Sequence, residues 1–230
     1  MIDTRFDFRT DAGGRDPDSH SPTLRAYHQL LWSKPLPDGR SFDLSDRTPG
    51  VYLHHRSECG EFFLSSDSVM QTFIRWAALK PITGQLSDSQ NEEFMAVAST
   101  IGAMMVFPGN QVDRRWTINQ ARGCTRSISD RFDLTVECIR RHYAGAESPL
   151  SATLSRYGEF FGLFNDFRGY VGFFLLNDLV DDDLGVRFFM PFNDFNPPSV
   201  PPDIGAYREY RRRSMEFIEA RNRRIEALDL

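Results

Sequence analysis

The order in which two hydrophobic periods appear along the chain restricts its fold more than any other feature. Near residue 50 the sequence alternates. "GVYLHH" and "EFFLSS" place apolar and polar side chains on opposite faces, the period of a half-buried strand. Only "RSECG" separates them, a connection short enough for a hairpin. From Arg131 onward the apolar residues recur instead at three- and four-residue spacing, the period of a helix. Strands gathered early and helices gathered late predict an α+β fold, not alternating βα units. The expected architecture is a small, mostly antiparallel sheet in the N-terminal half packed against a helical C-terminal half. A chain of 230 residues predicts one α+β domain, 1–230, with a flexible N-terminal segment at 1–20, where "TDAGGRDPDSHSP" concentrates turn formers.

Between these landmarks the signals are local. Ser21-Pro22 reads as an N-cap with proline at the first helical position, followed by Leu24, Tyr27, His28 and Leu31. Ser65 or Ser66 is expected to cap a helix through "DSVMQTFIRWAAL", with a second helix over 88–99. "IGAMMVFPGN" predicts a strand, "WTIN" a returning strand, and "QARGCTRSIS" a loop that ends at Asp130 as N-cap. The following helix carries Phe132, Val136, Ile139 and Tyr143 on one face and stops at Gly145. Ser148-Pro149 repeats the serine-proline start. Gly169 is expected to break the chain before "YVGFFLLNDLV", read as a buried aromatic helix. "VRFFMPF" reads as a last strand, and 204–228 as an amphipathic helix.

Composition excludes several classes. With 40% hydrophobic, 26% charged and 13% aromatic residues the chain is an ordinary globular protein, and its 20 phenylalanines predict an aromatic core. No apolar run approaches the roughly 18 residues of a membrane span, so no membrane partner is expected. Cys59, Cys124 and Cys138 lack metal-ligand or close pairing, which suggests reduced thiols and a cytoplasmic location. A net charge of −5 argues against wholesale nucleic-acid binding. Lys34 and Lys80 are the only lysines among 27 basic residues, leaving 25 arginines, the side chain suited to bidentate phosphate or carboxylate contacts.

"SPTLRAYHQLLWSKPLPDG", "YLHHRSECGEFFLSSDS", "DRRWTINQARG", "DRFDLTVECIRRHY" and "NDFRGYVGFFLLNDLV" occur in this order. Together they resemble an uncharacterised bacterial family of small cytoplasmic proteins, a domain of unknown function, over nearly the whole chain. The resemblance implies a complete folded domain and supplies no reaction.

Four constellations carry chemistry. In the first, Asp133, Glu137 and Arg140 or Arg141 share a helix face, either as a solvated ion-pair ladder or as one wall of a site. The second reading requires Asn119 and Arg122, from the preceding loop, to face the same space. There Arg122, Arg131 and Arg141 would hold an anion beside backbone N–H groups. In the second, His54 and His55 end a strand near Ser65 and Ser66, and strand alternation lets only one histidine face inward. In the third, Asp178 and Asp181 to Asp183 form an acidic turn without EF-hand or other ligand spacing, so no metal site is expected and no cofactor is specified. In the fourth, the C-terminal helix mixes arginines with Tyr207, Tyr210, Ile218 and Ile225, which pack inward or against a partner.

Two functions remain. One is an enzyme that binds a phosphate-bearing ligand, a nucleotide or nucleic acid, through the Arg/Asn loop. Its ligand-binding residues would be Asn119, Arg122, Arg131, Asp133, Arg141, Ser65 and Ser66, with His54 and Glu137 as acid or base. The other is a non-catalytic interaction module that forms a homo-oligomer through its C-terminal helix.

Overall fold

In the computed structural model, which describes residues 1–228, the order of the two periods is realised as an antiparallel sheet followed by helices. Two short N-terminal helices, α1 (Pro17–His20) and α2 (Pro22–Trp32), precede the sheet. Each begins with proline behind a polar N-cap, Asp16 for α1 and Ser21 for α2. Upstream of them Ile2, Phe8 and Ala12 are buried, and the Phe8 N–H donates to the Ser99 carbonyl at 3.0 Å.

Strands β1 (Leu53–Ser57) and β2 (Gly60–Ser68) form the expected hairpin, in register from Leu53↔Leu64 to Ser57↔Gly60. Gly60 holds φ +125° at the turn, and a Cβ there would lie 2.9 Å from the Phe62 ring, so the position requires glycine. The alternation places His55 inside, 1% exposed, and leaves His54 partly open. β2 does not stop at Ser65 to begin a helix. It runs on to Ser68 because residues 64–68 pair with β3 (Met104–Pro108), from Leu64↔Pro108 to Ser68↔Met104. The expected helix through 67–79 is therefore absent. Phe73 sits at φ +59°, and only a 3-10 turn at Ala77–Leu79 and the one-turn α3 (Lys80–Thr83) are helical. Helix α4 (Asp88–Ala98) follows, closed by a Ser87–Gln90 capping box.

Beyond β3, "WTIN" is not a strand. Thr117 is an N-cap, its side chain and that of Gln120 form a capping box, and α5 (Ile118–Cys124) occupies the stretch read as a loop. Asp130 does not cap α6 (Phe132–Tyr143). It adopts φ +59°, and its carboxylate is engaged by Arg122 and Gln71, so Arg131 takes the cap position without a side-chain bond. The segment 148–164 is divided into α7 (Ser151–Leu154), a 3-10 turn at Ser155–Tyr157, and α8 (Gly158–Gly162). α9 (Phe167–Phe173) contains Gly169 and is not broken by it. A Cβ at Gly169 would stand 2.0 Å from the Phe164 carbonyl oxygen, so the glycine permits a close approach of two backbones. The aromatic segment turns at Leu175, φ +56°, and "VRFFMPF" forms only the isolated bridge Val180↔Val186.

Helix α10 (Ile204–Glu226) packs on α4 and on the 3-10 turn Ile101–Ala103 that leads into the fully buried β3. Tyr207, Tyr210, Phe217, Ile218 and Ile225 of this helix are buried within the chain. Its outward side carries the ion pairs Arg212–Glu209, Arg212–Glu216 and Arg213–Glu209. No described helix is long and apolar enough to cross a membrane.

Candidate functional site

The second half of β2 carries Asp67 and stands beside Asp18 and Tyr52. Past Leu64, the strand pairs with β3 alone, and α1 packs against it. Because side chains alternate, Ser66 faces one way and Ser65 and Asp67 the other. On the first side the Ser66 hydroxyl donates to Asp18 Oδ1 of α1 at 2.9 Å. The Tyr52 hydroxyl lies beside this pair and bonds His28 Nδ1 at 3.0 Å. On the second side stands α5, where Asn119 and Arg122, three residues apart, share a face. Asn119 Nδ2 donates to Ser65 Oγ at 3.2 Å and to the Ser66 carbonyl at 3.1 Å.

Arg122 is not in an open pocket. Its side chain is 0% exposed, enclosed by the rings of Phe107 and Phe132. Nη1 donates to Asp67 Oδ2 at 2.7 Å and to the Ser68 carbonyl at 3.1 Å, and Nη2 donates to the Asp130 carbonyl at 3.1 Å. Nε lies 3.3 Å from Asp130 Oδ1, an ion pair without hydrogen-bond alignment. A buried guanidinium must be neutralised, and two aspartates do so here. The guanidinium expected to receive a phosphate is already occupied.

The carboxylates have different surroundings. Asp18 is half-buried, and its pKa is pushed up to about 7, first by burial and then by the nearby Asp67 charge. Asp67 is also pushed up by burial, to about 6, against the pull of Arg122. Its side chain remains 22% exposed, and Asp130 is 31% exposed, so both reach solvent. At neutral pH Arg122 therefore holds Asp67 ionised while Asp18 is close to half-protonated. Burial raises the Tyr52 hydroxyl and pushes His28 down to about 3, leaving both neutral.

Asn119 adds an unsatisfied acceptor. Its amide orientation is fixed because the Ser66 carbonyl requires the Nδ2 donor, which leaves a buried Oδ1 with no hydrogen-bond donor. Asp67, Asp130 and the Asn119 oxygen thus present acceptors on the α5 side of β2, and Asp18 presents one on the Ser66 side. Acceptors of this kind pair with hydrogen-bond donors. Among the described residues no group of three or more His, Cys, Asp or Glu side chains is placed to hold a metal ion.

The other sequence candidates lie elsewhere. Arg131 and Asp133 form a buried pair, 3% and 0% exposed, with Nε to Oδ1 at 3.1 Å, and Asp133 Oδ2 accepts the Phe189 N–H at 2.9 Å. Glu137 is not part of a solvated ladder. It is 4% exposed, bound by Arg140 at 2.7 Å and Arg141 at 2.9 Å, and Arg141 continues to Asp194 at 2.6 Å. His54 bonds Thr48 Oγ1 at 2.8 Å and Glu61 Oε1 at 3.0 Å and stacks on Phe63 with centroids 4.7 Å apart. His54 and Glu137 thus belong to separate clusters and are not brought together as an acid–base pair. Ser65, Ser66, Asn119 and Arg122 do meet. Asp18, Tyr52, Asp67 and Asp130 complete the cluster, and sequence reasoning gave Asp18 and Tyr52 no role. The one available signal for Asp18 was the Asp16-Pro17 pair, a helix start like Ser21-Pro22 inside a segment read as turn.

Residues 2–225 match the model of a protein family described as Family of unknown function (DUF6994). No curated protein and no solved structure matches the chain.

Proposed function

The chain belongs to DUF6994, a family of unknown function, and we propose that it is an acid–base enzyme acting on a hydroxyl-rich, uncharged substrate. The observation that supports this reading is the unequal pair formed by Asp67 of β2 and Asp18 of α1: Arg122 bonds Asp67 at 2.7 Å, while Asp18 receives only the Ser66 hydroxyl. Two neighbouring carboxylates in unequal environments divide into one proton donor and one ionised base. Asp18 is the donor. Asp67, which solvent reaches, is the base that activates water, and the Asn119 oxygen accepts from a substrate hydroxyl. Hydrolysis of a glycosidic bond is the reaction type that uses such a pair on such a substrate. Arg122 acts through Asp67 and is a positioning residue.

The test offers the purified protein a panel of chromogenic glycosides. Turnover should be greatest between about pH 6 and 7, where Asp67 is ionised and Asp18 protonated. Asp18→Asn should abolish it without lowering the melting temperature. A panel with no turnover, and no thermal shift in the presence of concentrated oligosaccharides, would remove the enzyme reading.

A further inference from the structure

The segment that joins β3 to α5 displays an indole that the core does not use. Trp116 is 54% exposed and is the only large aromatic side chain among the described residues that stands mostly in water. The segment is tied down on both sides of its tip. The Gly109 N–H donates to the Phe63 carbonyl at 2.7 Å, the Tyr157 hydroxyl to the Asn110 carbonyl at 2.8 Å, and Arg156 Nη2 to the Trp116 carbonyl at 2.7 Å. Between these ties the Arg115 N–H closes a turn onto the Val112 carbonyl at 3.0 Å. Its two central residues, Asp113 and Arg114, hold φ +55° and +58°, a geometry that favours glycine and asparagine. Neither is glycine, so the turn keeps two side chains in an unfavourable backbone conformation directly before Trp116.

Three cations surround this ring, and among the described residues none of them bonds a carboxylate. Arg114 and Arg115 are exposed. Arg156, half-buried, spends Nη1 on the Ala152 carbonyl at 2.8 Å and Nη2 on the Trp116 carbonyl, with Thr153 Oγ1 at 3.5 Å, and its Nε is buried without a partner. Asp113, the one acid between residues 109 and 117, forms no ion pair with any of the three among the described residues. From this juxtaposition we propose that the turn binds a single strand of nucleic acid, with a base stacked on Trp116 and phosphates paired to Arg114 and Arg115. A base presents a flat face that an indole can cover, and it does so whatever its identity. The planar guanidinium forks of Arg114 and Arg115 match phosphate oxygens. Arg156 acts through position, fixing the Trp116 backbone and adding to the local field. A duplex hides its base faces, and an acidic peptide satisfies the arginines but leaves the indole uncovered, so the single strand alone uses both features. The net charge of −5 repels a polyanion beyond the patch, which limits the footprint to a few nucleotides. The aspartate pair beside β2 plays no part in this binding.

The full-length protein is titrated with a short oligothymidylate, labelled for anisotropy and unlabelled for tryptophan emission, at about 50 mM salt. The strand should bind and quench the emission, because Trp32 is buried and Trp76 half-buried while Trp116 faces water. Trp116→Ala should weaken binding about ten-fold. Trp116→Phe should keep most of the affinity and lose the quenching, a separation that a merely structural ring would not produce. The logarithm of the association constant should fall with that of salt with a slope of about −1.4, and Arg115→Gln should flatten the slope by about 0.7. Both positions are exposed, so unchanged near-ultraviolet circular dichroism verifies that each variant is folded. No binding at about 0.1 mM protein, or equal affinity in Trp116→Ala, would overturn the proposal. Equal binding and quenching by polyglutamate would assign the surface to an acidic protein partner, and equal binding by heparin would reduce it to charge alone.

Discussion

Arg122 and Asp18 show how the same cluster responds oppositely to two substitutions. Removing the guanidinium with Arg122→Met leaves Asp67 and Asp130 facing each other across an apolar gap between Phe107 and Phe132. The expected loss is about 3–5 kcal/mol, read by urea denaturation. Unchanged stability would instead return Arg122 to the role of a free ligand-binding group. At Asp18 the sign reverses. Its folded pKa of about 7 lies above the unfolded value near 4, so the folded state binds the extra proton. Stability from this group is full below about pH 4 and is lost as pH rises to about 7. Asp18→Asn removes the charge and should be more stable than the parent at pH 8 by about 1–2 kcal/mol, after allowance for its partial exposure, with the difference closing near pH 4. Denaturation at the two pH values checks both sign and window. The Asp16-Pro17 helix start places Asp18 on a helix, but nothing in "DPDSH" announces that Ser66, 48 residues away, will donate to it.

Helix α5 decides whether the site exists as a unit. It has 7 residues, short enough that its caps matter, and it holds Asn119 and Arg122 at the spacing that lets both reach β2. Thr117→Ala removes the side chain that accepts from the Gln120 N–H, and should cost about 1 kcal/mol. In the purified variant, amide hydrogen exchange should accelerate across 118–124 before it does so in α6. If exchange in α5 is unaltered, tertiary contacts alone hold the helix. The capping box T-x-x-Q at 117–120 was legible, but the preceding Trp116 and Ile118 favoured a strand, so the alternation template was chosen where the capping template applied. At 65–79 the opposite happened: a helical spacing was present, and pairing of β2 with β3 overrode it.

For the whole molecule the long C-terminal helix is a core element. α10 contributes Tyr207, Tyr210, Phe217 and Ile218 to the core, and its Arg221 binds the carbonyls of Gly102 and Met104 at the start of β3. A chain ending before Ile204 should therefore lose its near-ultraviolet circular dichroism and aggregate. A soluble, cooperatively folding truncation would show instead that α10 is an appended assembly helix.

The sequence by itself determined the class, the hairpin with one of its two histidines inward, the helices α2, α4, α6 and α10, and the aromatic core, because each of these depends on periodicity or caps within a short window. Tertiary structure alone decided which arginines are free. Twenty-five guanidiniums look alike in a sequence, and a carboxylate 55 residues away, Asp67, determines that Arg122 is an internal counter-ion. The same contact decided which aspartate keeps its proton. Charge neutralisation acts over a few ångströms of space, with no fixed distance along the chain, so no local pattern encodes it.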